Sequence, residues 1–254
     1  MMDRALVGLV ALVTGSADGI GKAIAYRLAE QGASIILHDI KTDKLAATAT
    51  EIRDLGVDVA TIAVDIRDAA AMRSTYDDAV AQLGDVALLV NNAGVGLMGP
   101  GDLVDVTEED FDRMFAVHVK GAFQVTQMVV PGMKQRGFGR IVNIASNRGQ
   151  VGFTSGSHYS GAKAALIGLT KAWAKELAPS GIQVNAIAPG VVKTPMTMAH
   201  GIDAVHEEAQ DNLIKRWAEP DEIAATAVFL MSPDGAYYTG QVLCPNGGDP
   251  VVGI

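Results

Sequence analysis

The sequence predicts an α/β fold: a single-domain, doubly wound parallel sheet of about seven strands with helices on both faces. Three observations predict it. Short apolar runs alternate with helical patterns, several of those runs are apolar throughout, and a glycine-rich turn follows the first of them. Strand–helix alternation requires crossovers of one hand, which lay successive strands side by side and parallel. A strand covered on both faces has no solvent side, so it reads as a continuous apolar run. The 254 residues suit one unit spanning 1–254, and a hydrophobic content of 49% supplies a large core.

In chain order the strands read as Leu9–Val13, Ser34–Leu37, Val57–Val64, Val86–Val90, Ile141–Ala145, Ile182–Ile187 and Gln241–Leu243. Helical patterns fall between them at Ile20–Gln31, Asp43–Leu55, Asp68–Leu83, Glu108–Gln135, His158–Ala178 and Asp221–Met231. Two of the starts carry caps. Thr107 precedes Glu108-Glu109-Asp110, and Pro220 precedes Asp221-Glu222, so acids stand in the first turn. The segment Val191–Trp217 has neither pattern and reads as a long loop over one edge of the sheet.

Composition excludes several classes. A formal charge of −9 with no basic stripe argues against a nucleic-acid partner. No apolar run approaches the ~18 residues of a membrane-spanning helix. Arg4 and the run Leu6–Val13 resemble a short secretion signal, but Thr14-Gly15 follows and no small-residue cleavage site does. A buried first strand explains that run better. The single cysteine, Cys244, permits no intrachain disulfide, which suits a cytoplasmic protein. Its neighbours Val242 and Leu243 favour an inert, buried strand residue over a reactive thiol.

Ligands of doubly wound sheets bind beyond the C-terminal strand ends, at the switch in strand order. The first strand is followed by Gly15-Ser16-Ala17-Asp18-Gly19-Ile20-Gly21, which opens a helix. Glycines allow a tight turn and close approach to a pyrophosphate, and the helix start offers free N–H groups. A strand before it and a helix after it make this a Rossmann-type fingerprint. Asp39, at the end of the second strand, can accept hydrogen bonds from the adenine-ribose hydroxyls and would repel a 2′-phosphate. No Arg or Lys stands at Ser16–Asp18, and Asp18 adds a negative charge. The sequence therefore favours NAD(H) over NADP(H), with Lys41 as a nearby complication. Asp39 also reads as a loop cap before Asp43. Asp65 and Ile66 follow the third strand and suit adenine contact. Asn92, Ala93 and Gly94 follow the fourth and suit packing under the cofactor; Asn91 reads equally as structural support or as a contact.

Tyr159 and Lys163 stand four residues apart at a helix start, on one face. A tyrosine alone is a poor base, because its ordinary pKa is ~10. An ammonium nearby stabilises the phenolate, and the pair can then exchange a proton with an alcohol or carbonyl oxygen. Ser146, in the preceding strand–loop, can hold the same oxygen.

These residues together resemble the short-chain dehydrogenase/reductase family, and the likeness runs nearly end to end. It takes in Thr14–Gly21, Asn91–Gly94, Ser146, Tyr159 with Lys163, Pro189-Gly190 and Gly247-Gly248. The resemblance implies that Ser146 orients the substrate oxygen and that Tyr159 is the acid/base. It implies that Lys163 contacts the nicotinamide ribose and lowers the tyrosine pKa. Pro189, Gly190, Val192 and Thr194 then resemble the segment that receives the nicotinamide carboxamide. It also implies a homotetramer built on the helices at Glu108–Gln135 and His158–Ala178. One departure stands out: the family usually has asparagine where this chain has His118. That asparagine helps position a water in a proton relay. His118 reads either as keeping the relay, with a titrating group added, or as packing at a helix bend. His158 reads as structural or substrate-side. Pro245-Asn246 precedes the paired glycines where an acid is more usual.

On the substrate side stand Asn147, Arg148, Phe153 and Met196, with Met98 and Gln150 beside them. They mix apolar and polar groups and fit a polyol, sugar, hydroxy acid, cyclic alcohol or 3-oxoacyl thioester. The expected function is NAD(H)-dependent hydride transfer with a secondary alcohol or ketone, and no metal. Two rivals stand beside it. One is a 3-oxoacyl-[acyl-carrier-protein] reductase; the other is a non-catalytic NAD(H)-binding sensor, which need not keep Ser146, Tyr159 and Lys163.

Overall fold

A computed structural model describes residues 4–97 and 101–251; Met98 lies outside the described residues. The elements run β1 (Val10–Thr14), α1 (Gly19–Glu30), β2 (Ser34–His38), α2 (Thr42–Arg53), β3 (Val59–Ile62), α3 (Ala69–Leu83) and β4 (Val86–Asn91). After them come α4 (Glu108–Phe115), a π-helical turn (Ala116–Gly121), α5 (Ala122–Arg136), β5 (Gly139–Ile144), α6 (Arg148–Val151) and α7 (Ser157–Leu177). The chain closes with β6 (Ile182–Ile187), α8 (Pro195–Met198), α9 (Ile202–Asp211), α10 (Pro220–Met231) and β7 (Val242–Leu243).

The strands form one sheet of seven, in the order β3-β2-β1-β4-β5-β6-β7. Every pairing is parallel. β1, β4 and β5 are buried at every position, as two covered faces require. Successive side chains of a strand point to opposite faces, and the core divides accordingly. Ala11 and Val13 of β1 join Ile24 and Leu28 of α1 and Ile223 and Leu230 of α10. Val10 and Leu12 join Met72 of α3, Val125 and Val129 of α5, and Trp173 of α7. Truncating a fully buried Leu28 to alanine costs about 2–5 kcal/mol in such a core.

Caps fix several helix starts. Asp68 accepts from the N–H groups of Ala70 and Ala71, and Thr107 accepts from Asp110 N–H at 3.1 Å. The Glu222 carboxylate accepts from Glu219 N–H at 2.9 Å. Asp18, at the start of α1, makes no such bond, so the first N–H groups of α1 stay available.

The sequence-based reading differs in two places. The helix expected over Glu108–Gln135 is interrupted at Ala116–Gly121 by a π turn. A π turn closes one residue later than an α-helical turn, and helix continues from it into α5. The expected loop over 191–217 contains α8 and α9, and its ends are tied together. Lys193 N–H donates to Ala218 O at 2.9 Å, and Ala218 N–H to Val191 O at 2.9 Å.

β2 and β3 lie on one side of β1, and β4 through β7 on the other. The switch in strand order thus falls between β1 and β4, and both strands end at the same edge. The glycine turn after β1 and the Asn92–Gly94 turn after β4 therefore meet there.

Candidate active site

A cleft of about 550 Å³ opens at this edge. Its lining contains Gly15, Asp18, Gly19, Ile20, Asp39, Asp65, Ile66, Asn92, Ala93 and Gly94 at one end and middle. His118, Ser146, Tyr159, Lys163, Pro189, Gly190, Val192, Thr194 and Met196 also line it. The volume is within the range of ordinary ligand pockets.

The glycine turn is built for close approach. Gly15 takes φ +65° and lies against the backbone of Ala93, where a Cβ would stand 2.8 Å from that residue's Cα. A Cβ at Gly21 would land on the Gly15 carbonyl oxygen and the Asn92 amide nitrogen. The Asn92 amide in turn donates to Thr14 O at 2.9 Å and Gly15 O at 2.8 Å. Thr14 Oγ1 donates to Val90 O and accepts from both Asn92 and Ala93 N–H at 3.0 Å. Asn92 and Thr14 therefore tie the β4 turn to the β1 turn. Asn91 points away from the cleft. Its amide donates to Thr126 Oγ1 at 3.0 Å and Asn143 Oδ1 at 2.9 Å. Asn143 passes the chain on to Thr170 at 2.8 Å. Of the two readings of Asn91, structural support is the one seen.

Asp39 is buried, and its carboxylate accepts from Ala17 N–H at 3.1 Å and Lys41 N–H at 3.0 Å. It caps backbone, and it also faces the cleft with the lone pairs left over. Asp18 differs from expectation. One of its oxygens is held by Lys41 at 3.0 Å and Lys44 at 2.9 Å. Burial would raise the Asp18 carboxyl; the two lysines outweigh it and hold it below its ordinary value. The negative charge that the sequence assigns to this turn is thus compensated by Lys41 and Lys44. Asp65 is similarly engaged, by a two-point pair with Arg67. These donors, glycines and the free start of α1 fit a dinucleotide.

At the other end, the start of α7 brings Tyr159 and Lys163 beside the loop after β5. Ser146, which lines the cleft with Tyr159, donates through its Oγ to Asn147 Oδ1 at 3.2 Å. The Ser146 Oγ also accepts from Arg148 N–H at 3.2 Å, which fixes it. Lys163 is buried and donates to Ile144 O at 2.7 Å, with Nζ 5.8 Å from the Tyr159 ring centre. Burial brings Lys163 down to about 7. The expected lowering of the tyrosine is reversed in the chain by itself. Burial pushes the Tyr159 phenol up, and Ser146 and Arg148 only partly counter it.

His118 sits in the π turn, 2% exposed. Its Nε2 lies 2.9 Å from Val95 O and 3.1 Å from Val95 N. Its ring meets Tyr159 edge-on, with centres 5.6 Å apart. The ring also occupies the space that a Cβ on Gly94 would need. Burial and the Lys163 charge hold His118 down at about 3. Both effects favour the neutral imidazole, which supports packing at the helix bend over an added titrating group. His118 packs at a helix bend and against the tyrosine at once.

The substrate-side expectations divide. Met196 lines the cleft and packs toward Gly96. Asn147 does not reach the cleft: its side chain caps α6 and donates to Asp249 O at 2.8 Å. Arg148 pairs with Glu208 of α9 and stacks over Phe153 at 3.6 Å, so these two are occupied with each other. Gln150 donates to Cys244 Sγ at 3.2 Å, and Cys244 is half-buried just after β7 rather than within it. His158 is buried. Among the described residues, no group of three His, Cys, Asp or Glu is placed to hold a metal ion. Among the same residues, no helix is long and apolar enough to cross a membrane.

Comparison with known proteins decides the family. The profile of the short chain dehydrogenase family matches residues 9–204. This chain belongs to the short-chain dehydrogenase family. Among curated relatives, the 3-oxoacyl-[acyl-carrier-protein] reductase FabG of Thermotoga maritima is 39% identical over 96% of this chain and 98% of its own length. A (2S)-[(R)-hydroxy(phenyl)methyl]succinyl-CoA dehydrogenase subunit of Thauera aromatica is 41% identical, over 94% of this chain and 95% of its own. Among solved structures, levodione reductase superposes with a TM-score of 0.92 at 32% identity, covering 96% of this chain and 98% of that one. A 7α-hydroxysteroid dehydrogenase in complex with NADH and 7-oxo glycochenodeoxycholic acid gives 0.91 at 34% identity, over 97% and 96%.

For a short-chain dehydrogenase site, the residues that sequence reasoning missed are the supports. They are the Thr14 hydroxyl, the Asn143–Thr170 link, the Ile144 carbonyl that anchors Lys163, and the lysine pair on Asp18. A buried Asn in an otherwise apolar strand was the available signal for Asn143.

Proposed function

We propose that this chain is an NAD(H)-dependent oxidoreductase acting on a secondary alcohol or its ketone, with Tyr159 as acid/base. The observation that carries the reading is the convergence of Ser146, Tyr159 and Lys163 on the cleft that the Gly15–Gly21 turn opens. The bound nicotinamide would supply or take the hydride. Gly15, Gly19 and Ile20 would hold the pyrophosphate at the start of α1, with Ala17 and Gly21 shaping the turn from outside the cleft lining. Asp39 would receive the adenine ribose, with Asp65 and Ile66 beside the adenine. Asn92, Ala93 and Gly94 would form the floor, and Pro189, Gly190, Val192 and Thr194 the wall at the nicotinamide.

Ser146 would hold the substrate oxygen beside the Tyr159 phenol. A raised phenol keeps its proton, which suits donation to a ketone oxygen. In the oxidising direction Tyr159 must take the proton, and the ammonium form of Lys163 favours the phenolate that does so. His118 would act by position, holding Val95 and the tyrosine ring, while the relay water of the family rests on backbone in the π turn. The 254 residues would form one cytoplasmic domain that assembles as a homotetramer. The outer faces of α4 and α5 carry exposed Phe111 and Phe123, which supports self-association there.

Reduction of a 3-oxoacyl thioester is the second reading, favoured by the identity to the Thermotoga maritima reductase. Titration of NAD, NADP and a 3-oxoacyl thioester into the purified protein separates the two. Preference for NAD that Asp39→Ala abolishes supports the first reading. Wild-type preference for NADP with thioester turnover supports the second.

A further inference from the structure

Arg148 has two attachments that pull in different directions. Its backbone N–H donates to Ser146 Oγ at 3.2 Å and to Asn147 Oδ1 at 2.9 Å, and Ser146 Oγ donates to the same Asn147 oxygen. Its guanidinium reaches the other way, lying 3.6 Å over the Phe153 ring and pairing with Glu208 of α9. The Arg148 and Glu208 side chains are only 22% and 35% exposed, so solvent and salt screen the pair weakly. α9 needs such a tie, because Val205 and Ala209 are its buried residues. A second route joins the same parts. The Asn147 amide donates to Asp249 O at 2.8 Å, and Leu213 N–H, just past α9, donates to Gly247 O at 2.9 Å. The serine loop, α9 and the C-terminal segment thus close a ring.

We infer that Glu208 is a positioning residue for Ser146: through the Arg148 guanidinium it couples α9 to the loop that carries the serine hydroxyl. The inference rests on the catalytic reading given above and deepens it. α8, which leads into α9, brings Pro195, Met196 and Thr197 to the cleft. A substrate that settles against α8 therefore acts on the serine loop as well. When the pair parts, Arg148 is free to turn, and with it goes the N–H that fixes Ser146 Oγ. Both charges are also near enough to act on the Tyr159 phenol. Burial dominates there, Arg148 lowers it and Glu208 raises it, so the closed pair leaves the two opposed.

The experiment is amide hydrogen exchange, followed by mass spectrometry on the full chain without added ligand. The proteins are wild type, Glu208→Gln, Arg148→Met, both changes together, and the reversed pair of Arg148→Glu with Glu208→Arg. In each single variant exchange speeds up by about fivefold in residues 202–211 and in 146–151 alike, while β1 and β4 stay as in wild type. The double variant is no faster than either single one, because both remove one interaction. The reversed pair slows both segments again. Faster exchange in α9 alone, with 146–151 unchanged, overturns the inference, as does a double variant in which the two effects add. Ethyl acetoacetate with NADH is the kinetic probe. In Glu208→Gln kcat falls by about tenfold with little change in KM, and the reversed pair recovers it. A defect carried by KM alone overturns the positioning of Ser146. Failure of wild type to reduce the probe bears on the oxidoreductase reading, and the exchange result then decides the coupling by itself.

Discussion

Replacing His118 by asparagine should make the fold less sensitive to acid. His118 is buried and held at about 3, against an ordinary 6.5. Above pH 6.5 the imidazole is neutral folded and unfolded, and it contributes nothing to pH dependence. As pH falls below 6.5 the unfolded chain takes the proton and the folded chain does not, so stability is lost progressively down to about pH 3. At 1.36 kcal/mol per pH unit, a drop from 6.5 to 5 amounts to about 2 kcal/mol. His38 is also lowered by burial and shares this window, so the wild type alone cannot assign the loss. Lys163 titrates higher: its contribution is present above its unfolded value of 10.5 and is lost as pH falls toward about 7. The assay is urea unfolding of wild type and His118→Asn at pH 7.5 and 5.0. The stability lost between the two pH values should be about 2 kcal/mol smaller in the variant. An equal loss in both proteins would refute the claim that folding keeps His118 unprotonated.

Gly21→Ala should weaken nucleotide binding and lower the melting temperature, since its Cβ meets the Gly15 carbonyl and the Asn92 amide. Overpacking of this kind costs about 1–3 kcal/mol, and differential scanning calorimetry with and without NAD measures both effects. Asn143→Ala should cost about 1–3 kcal/mol by leaving the Asn91 amide and the Thr170 hydroxyl short of a buried partner. Denaturant titration checks it, and an Asn143→Asp variant should not restore the stability, because a carboxylate cannot donate to Thr170. Asp39→Ala should raise the use of NADP relative to NAD and also loosen the turn at Ala17 and Lys41. The ratio of kcat/KM for the two cofactors reports the first effect.

The sheet was legible because each strand is an apolar run that ends where a polar turn begins. Ile182–Ile187 is found at the predicted bounds, and β1 to β5 differ by a residue or two, mainly where a polar last residue such as Thr14, His38 or Asn91 continues the ladder. The site residues that line the cleft were legible because they follow strand ends in a parallel sheet. Charge compensation was not. Asp18 reads as a bare negative charge, because its two lysines come from beyond the next strand and meet it only through the β1–β2 pairing. The π turn at Ala116–Gly121 escapes for a different reason: helix continues on both sides of it, in α4 and α5, so no break in the sequence marks it. Proximity to Ser146 points Asn147 and Arg148 toward substrate, whereas their side chains satisfy α6, the C-terminal segment and α9.

The central claim is that Tyr159, set by Ser146 and Lys163, moves the proton while the nicotinamide moves the hydride. The direct test is reduced-nicotinamide absorbance with purified protein, NAD or NADP, and a panel of secondary alcohols, polyols and hydroxy acids, with the reverse ketone and 3-oxoacyl thioester assays. Tyr159→Phe serves as the control and is titrated with NAD as well. The account predicts turnover in wild type that is lost in Tyr159→Phe, with NAD binding retained. Turnover that survives in Tyr159→Phe would contradict it.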